Sequence, residues 1–287
     1  MLDVIRLKVL ATVARTGSVT GAARELGYAQ ASISHHLSRL EAEVGLALTQ
    51  RAGRGIRLTP AGELLAHRAA EILGRVESAQ DEVSAIGGLR HGRVRVAGFQ
   101  SALSTVVTDA AASLRATAPG IELSLTDLHP DLALQQLREG HIEIAVIFRY
   151  DDTLPPYIRA THLFDDPMHL VSQQAGQTLA DHRDSPWIAG CERCRRELVE
   201  ACETAGFTPQ IRYTSDDPVV TQSMVAAGLG VTTIPGLSLA THRRAGIQTT
   251  ELPDFRRRIY VATYGEPPDP PATDAFVRAL IEAATRL

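Results

Sequence analysis

From residue 3 to 86 the apolar residues recur at helical spacing, and from residue 93 onward short apolar runs alternate with helical stretches. In the first region, residues 3 to 15 place Val9, Leu10, Val13 and Ala14 on one side and stop at Gly17. Ser18 then caps a short helix with small apolar residues at Ala22, Ala23 and Leu26, and Gly27 supplies the left-handed turn that ends it. A longer helix follows, with Ile33, Leu37, Leu40 and Val44 in one stripe and Ala31, Ser34, His35, Ser38 and Arg39 spread over the other side. Short helix, glycine turn and longer helix make the helix-turn-helix pattern. An outward face of hydroxyls, an imidazole and a guanidinium suits a helix that enters a DNA major groove. A helical hairpin in an ordinary core carries the same apolar stripe, so the flanking segments must decide.

Those segments favour the DNA reader. Residues 45 to 59 hold two short apolar pieces around a Gly- and Arg-containing turn, which predicts a hairpin, or wing. Arg51, Arg54 and Arg57 along it would lie against sugar-phosphate, adding affinity and salt dependence more than sequence choice. Thr59-Pro60 is a helix start, a hydroxyl cap followed by proline at the first helical position. The helix after it carries Leu65, Ala69, Ile72, Val76, Ala79, Val83 and Ile86 at alternating spacings of four and three. That is a heptad seam, which predicts a partner helix and hence a dimer. Gly87-Gly88 ends it and a hinge follows.

From Arg93 the pattern predicts strand 93–98, helix 101–117, strand 121–126, helix 131–139 and buried strand 142–148, a βαβαβ unit. A second series gives strands at 168–172, 187–190, 211–214, 231–234 and 258–263, with helices from about Glu192, Pro218 and Ala272. Two α/β lobes around a crevice satisfy this order. Open α/β sheets bind ligands at the carboxyl ends of their strands, so the crevice should be floored by the turns after Gly98, Thr126, Phe148, Thr214 and Ile234.

Charge sharpens the division. The net charge of −4 is wrong for a nucleic-acid binder taken whole, but residues 1 to 60 hold eight basic against four acidic side chains, a local +4 that leaves −8 on the rest. A basic head on an acidic body fits a chain of which only the first part meets phosphate. At 287 residues with 44% hydrophobic content, two or three globular domains are expected. There is no run of eighteen apolar residues and no signal peptide, and three cysteines do not make a disulfide framework, so a cytoplasmic protein without a membrane partner is expected.

Over essentially its whole length the chain resembles the LysR-type transcriptional regulators. The resemblance is carried by G-S-V-T-G-A-A-R-E-L, Q-A-S-I-S-H-H-L-S-R-L-E, G-L-A-L-T-Q-R and R-L-T-P-A-G in the head, and by L-R-E-G-H-I-E-I-A-V and V-A-A-G-L-G-V-T-T-I-P in the body. It implies an α+β multidomain fold: a winged helix-turn-helix domain (1–60), a linker and dimerisation helix with hinge (61–88), and a two-lobed, periplasmic-binding-protein-like effector domain (92–287). Lobe 1 is expected at about 92–160 and 266–287, and lobe 2 at about 161–265. The resemblance further implies a homodimer or homotetramer on a partly palindromic promoter element, a small-molecule effector with no other cofactor, and RNA polymerase as a partner. By position, Gln30, Ala31, Ser34 and His35 would face base edges, and Arg39 and Arg51 the backbone. Three departures stand out. Ala29 sits where Ser or Thr commonly caps the longer helix, Thr49 where the wing usually has an aromatic, and His35 where Arg is frequent.

In the crevice, Gln100, Ser101 and Ser104 are expected to point hydroxyls and backbone amides at a ligand from a helix N-terminus, which favours an anion. Arg149 would add a charge-assisted bond, and Ser215 and Asp216 would line the opposite lobe, although Asp216 or Asp217 before Pro218 also reads as an N-cap. Cys191-x-x-Cys194, with Cys202, reads either as a redox pair whose thiolate is favoured by Arg193, Arg195 and Arg196 or as small thiols near a helix start. A thiolate metal site is the further reading, but a single such pair with no second pair and no His at ligand spacing is a weak signal, and no metal ligand is expected. There is no G-x-S-x-G, H-E-x-x-H or P-loop, so no enzyme and no catalytic residue is expected. A solute-binding protein or enzyme on the same two lobes would need neither the basic head nor the heptad helix.

Overall fold

The computed structural model describes residues 2–52, 55–85, 92–151, 153–155, 158–265 and 267–287. The head is built on three helices whose ends are set by single residues. Helix α1 (Val4–Thr16) starts where the Asp3 carboxylate accepts from the Ile5 and Arg6 amides, and ends at Gly17 with φ +68°. Helix α2 (Val19–Leu26) is capped by Ser18 Oγ, which accepts from the Gly21 amide, and ends at Gly27, again with φ +68°. A side chain with a Cβ would be strained at both turns, which is why glycine ends each helix there. Helix α3 (Gln30–Val44) buries Ile33, Leu37 and Leu40 against Leu10, Val13, Ala22 and Ala23.

The wing forms as expected. Strands β1 (Thr49–Ala52) and β2 (Gly55–Leu58) pair antiparallel, Thr49 opposite Leu58. The Glu41 carboxylate at the end of α3 accepts from the Leu48 and Thr49 amides and from the Thr49 hydroxyl at 3.0 Å. Thr49 thus joins wing to helix by hydrogen bonding where an aromatic would do so by buried area. Thr59 Oγ1 accepts from the Gly62 amide at 3.1 Å and donates to the Ala47 carbonyl, starting helix α4 (Pro60–Ala85). At 1.5 Å per residue this helix runs roughly 39 Å. Its heptad seam splits in two. Ala69 is buried in the head and Leu65 packs on it, whereas Ile72 (39% exposed), Val76 (38%) and Val83 (69%) are uncovered within one chain. Ile86 and the Gly87-Gly88 hinge lie outside the described residues.

In the body, one six-stranded sheet runs in the order Ile121–Asp127, Gly92–Gly98, Ile144–Arg149, Gln248–Tyr264, Ile158–Ser172, Thr232–Pro235. Strands β3 (Gly92–Gly98), β4 (Ile121–Asp127) and β5 (Ile144–Arg149) are parallel, as the βαβαβ reading requires. Helices α6 (Val106–Thr117) and α11 (Pro271–Ala284) pack on one face of that part of the sheet, and α7 (Pro130–Arg138) on the other. Strands β6 (Ile158–Ser172) and β10 (Gln248–Tyr264) pair antiparallel along nearly their whole length and pass from one lobe to the other. The second lobe adds β7 (Pro186–Ala189), β8 (Gln210–Thr214) and β9 (Thr232–Pro235), with helices α8 (Glu192–Thr204), α9 (Pro218–Ala226) and α10 (Gly236–Thr241).

Four features differ from the sequence expectation. The expected helix over 101–117 is two: α5 (Gln100–Leu103) and α6, broken where Thr105 leaves helical geometry and its hydroxyl donates to the Ser101 carbonyl. Short strands expected at 168–172 and 258–263 are the ends of β6 and β10, and α10 was not foreseen. The lobe limits at 160/161 and 265/266 therefore shift. Residues 258–262 already pair with β5, so both crossings lie near the irregular register between Leu252 and Arg256, opposite Pro167. Proline has no amide to donate, and a bulge is where a sheet tolerates it.

Candidate functional site

On α3, Gln30, Ala31, Ser34, His35, Ser38 and Arg39 are all exposed, on the side away from Ile33, Leu37 and Leu40. The side chains of Gln30, Ser34, Ser38 and Arg39 make no hydrogen bond or ion pair among the described residues, so their polar atoms are available to a partner. His35 lies edge-on to His36, whose ring stacks on Tyr28 at 5.8 Å. Two other bases of the head are engaged internally: Arg6 pairs with Glu43 and Arg15 with Glu25, tying α1 to α3 and to α2. Arg51 on β1 and Arg57 on β2 are exposed, while Arg54 lies outside the described residues. Ala29 has the extended backbone of a cap (φ −70°, ψ 145°) but no side chain bonds the first turn, and Gln30 does not substitute for one.

Between the lobes lies a cavity of about 320 Å³, within the size range of small-molecule sites. Its walls come from the five predicted turns: Phe99 to Ser101, Asp127 to His129, Phe148 with Tyr150, Ser215 with Asp216, and Ile234 with Pro235. Helix α8 adds Cys191 and Cys194. Gln100, Ser101, Ser215 and Asp216 line it, but Ser104 and Arg149 do not. Ser104 follows the last turn of α5, where its hydroxyl donates to the Ser101 carbonyl. Arg149 stands between Phe148 and Tyr150, both in the cavity wall; alternation along a strand sends it to the other face, where it binds Asp151 at 2.6 Å. Asp217, not Asp216, caps α9, accepting from the Val219 and Val220 amides.

The cation of the cleft is Arg257, which sequence reasoning missed. It is 4% exposed, donates from Nη2 to Ser101 Oγ at 2.7 Å, and bonds Asp166 through Nε and Nη2 at 2.9 and 2.7 Å. Its guanidinium carbon lies 4.8 Å from the ring centres of both Phe99 and Phe148, which are themselves edge-to-face. Only an Arg-Arg-Arg run entering a strand marked it in the sequence.

The thiols lie on the opposite wall. Cys191 is the N-cap of α8; its sulfur is 3.1 Å from Cys194 Sγ, 3.5 Å from the Cys194 amide and 3.3 Å from His129 Nε2. The hydrogen bond from the Cys194 thiol, above all, brings Cys191 down to about 5; burial opposes it, and the Cys194 amide and His129 assist. The same bond, then burial, pushes the Cys194 thiol up. The imidazole absent from the sequence neighbourhood thus arrives from the other lobe. Arg193, expected to favour the thiolate, pairs instead with Asp131. Cys202 is buried behind Trp187 and Leu198, and burial pushes it up to about 12. Among the described residues no group of three or more His, Cys, Asp or Glu is placed to hold a metal, and no helix is long and apolar enough to cross a membrane.

A helix-turn-helix head with a wing, a long linker helix and a two-lobed domain enclosing a cleft define a ligand-responsive transcriptional regulator. The family described as "Bacterial regulatory helix-turn-helix protein, lysR family" matches residues 5–63, and "LysR substrate binding domain" matches residues 87–285. The chain belongs to the LysR family and is a LysR-type transcriptional regulator with a DNA-binding head and an effector-binding domain. It is similar to the probable HTH-type transcriptional regulator LrrA of Synechococcus elongatus, 28% identical over 249 residues that cover 83% of this chain and 82% of that one. Its fold matches CbnR, a LysR family transcriptional regulator (22% identity, 99% of each chain, TM-score 0.69), and full-length OxyR from Pseudomonas aeruginosa (20% identity, 99% and 95%, TM-score 0.73).

Proposed function

We propose that α3 reads promoter DNA from the major groove, with Gln30, Ala31, Ser34 and His35 at base edges, Ser38 and Arg39 toward the backbone, and the wing arginines Arg51 and Arg54 on the flanking phosphates. The observation that carries this is the row of exposed, internally unbonded polar side chains on α3, directly opposite the stripe that anchors the helix. The uncovered seam of Ile72, Val76 and Val83 on α4 receives the same helix of a second copy, which sets two heads at the spacing of a paired site. RNA polymerase is the further partner, and the protein works in the cytoplasm, where that DNA is.

The cleft binds an effector and does not turn it over. Its charges support a cationic group over the expected anion. Arg149 lies outside, Arg257 is matched by Asp166, and Asp127 and Asp216 face the cavity from opposite lobes. A polar effector presenting an amine or other cationic group to these carboxylates fits better, with Ser101, Gln100 and Ser215 orienting the rest. Fluorescence anisotropy on promoter fragments, with the gene's own upstream region included, tests the DNA reading: a salt-sensitive preference for some fragments is expected. Equal binding to every fragment overturns it. A thermal-shift screen with amine and carboxylate members of matched metabolite series tests the effector class, and stabilisation by carboxylates alone rejects it.

A further inference from the structure

We propose that Cys191 and Cys194 form a hydroperoxide-reactive dithiol in the wall of the cleft, Cys191 being the nucleophile and Cys194 the resolving thiol. Four independent placements meet here. Cys191 is the N-cap of a thirteen-residue helix, so its sulfur accepts from the Cys194 amide and faces the positive end of the dipole. Cys194, one turn on, offers its thiol at 3.1 Å; closing to a disulfide of about 2.05 Å needs a sulfur shift of roughly 1 Å. His129 reaches Cys191 from the other lobe with Nε2 at 3.3 Å. The pair lines a recess open to small solutes, while Cys202 is fully buried elsewhere.

The chemistry balances with a hydroperoxide as the oxidant. The Cys191 thiolate attacks the terminal peroxide oxygen; the S–O bond forms as the O–O bond breaks, and the departing alkoxide or hydroxide takes up a proton from solvent and leaves as alcohol or water. The Cys194 sulfur then attacks the Cys191 sulfenic sulfur. The S–S bond forms, and the leaving hydroxide takes the Cys194 proton as water. The two thiols lose two electrons and the peroxide gains them.

The location gives this oxidation a way to be felt. His129 and Asp131 at the start of α7 hold Cys191 and Arg193 at the start of α8, so the thiols sit on a contact between the lobes. A disulfide removes the thiolate that His129 faces and loosens that contact. This consequence rests on the regulator reading above, whereas the thiol chemistry does not.

Full-length protein treated with one equivalent of hydrogen peroxide or tert-butyl hydroperoxide, followed by non-reducing peptide mapping, tests the site. The expected result is a 191–194 disulfide in the native protein, a dimedone adduct on Cys191 in Cys194→Ser, no reaction in Cys191→Ser, and an unmodified Cys202. Oxidation that needs a large excess, that falls equally on all three cysteines, or that proceeds with a small-molecule disulfide but not with peroxide overturns the proposal. Promoter affinity measured on the same samples should shift at least threefold on oxidation and return with dithiothreitol. Disulfide formation with unchanged affinity overturns the coupling between the lobes, while absence of DNA binding before any peroxide is a failure of the regulator reading instead.

Discussion

Arg257 and Asp166 form a buried ion pair under the cleft, and each completes its bonding elsewhere: Arg257 on Ser101 Oγ, Asp166 on the Leu237 amide at 3.0 Å. The pair stands where β6 and β10 cross between lobes, so it ties both lobes to the floor of the site. Removing one partner leaves the other charged and dry. Arg257→Met should lose about 3–5 kcal/mol of stability. Arg257→Met combined with Asp166→Asn should recover at least half of that, because Asn keeps an acceptor for Leu237 and leaves no orphan charge. Urea denaturation of the two variants checks this; an Arg257→Met protein as stable as the native one refutes it.

Ala29 begins α3 without a side-chain cap, in extended geometry and exposed. Ala29→Ser should therefore stabilise the protein by about 1 kcal/mol, as an added N-cap hydroxyl does elsewhere. The change is read by thermal unfolding, and a destabilised Ala29→Ser would mean that the first turn of α3 is already satisfied another way.

Arg39 and Ser34 sit five residues apart on the exposed face of α3 and should fail differently. Arg39→Ala should weaken binding to all promoter fragments and reduce the slope of log K against log salt by about 1. Ser34→Ala should leave that slope unchanged and alter which fragments are preferred. Anisotropy titrations at several salt concentrations separate the two; identical salt slopes for the native protein and Arg39→Ala would remove Arg39 from the phosphate contacts.

Gly74 of α4 lies against the turn after α7, so close that a Cβ on it would come 2.4 Å from Gly140 Cα and 2.6 Å from the Glu139 carbonyl. One residue on, Arg75 stacks over Tyr264 at 4.4 Å. Gly74→Ala should push the linker helix off the effector domain at a cost of about 1–3 kcal/mol. Calorimetry should show the head and body melting further apart, with promoter affinity retained and the response to effector reduced. A single unshifted transition would show that the contact carries no coupling.

The helices of the head were legible because their ends are written locally: Gly17, Ser18 and Gly27 each act within four residues of where they stand, and so does Asp3, which caps the first helix although the periodicity places it inside. The floor of the cleft was legible too, since strand ends follow from the periodicity and ligands gather there. Arg149 was misplaced by ignoring a rule the sequence does carry: with Phe148 turned to the cleft, its neighbour must face away. What no local reading reaches is long-range pairing. Asp166 and Arg257 are 91 residues apart and His129 and Cys191 are 62 apart, and each pair meets only because β6, β10 and the two lobes bring them together. The break at Thr105 was hidden because its residues keep a helical apolar pattern on both sides.

Cys191, held as a thiolate down to about pH 5 against an ordinary 9.0, should show its state in its reactivity. Iodoacetamide alkylation of Cys191, followed by peptide mass spectrometry, should already be near its plateau rate at pH 7 and fall with a midpoint near pH 5. Cys202, pushed up to about 12 by burial, should stay unlabelled across that range. Stability follows the same group. Between pH 5 and 9 the unfolded thiol binds a proton that the folded thiolate does not, so unfolding takes up protons and stability rises with pH. This contribution is complete above 9 and is lost as pH falls through 5. Cys191→Ala should accordingly lose stability relative to the native protein at pH 8 and much less of it at pH 4.5, a difference that urea melts at the two values measure directly. An alkylation midpoint near 9 would show that neither Cys194 nor His129 stabilises the thiolate.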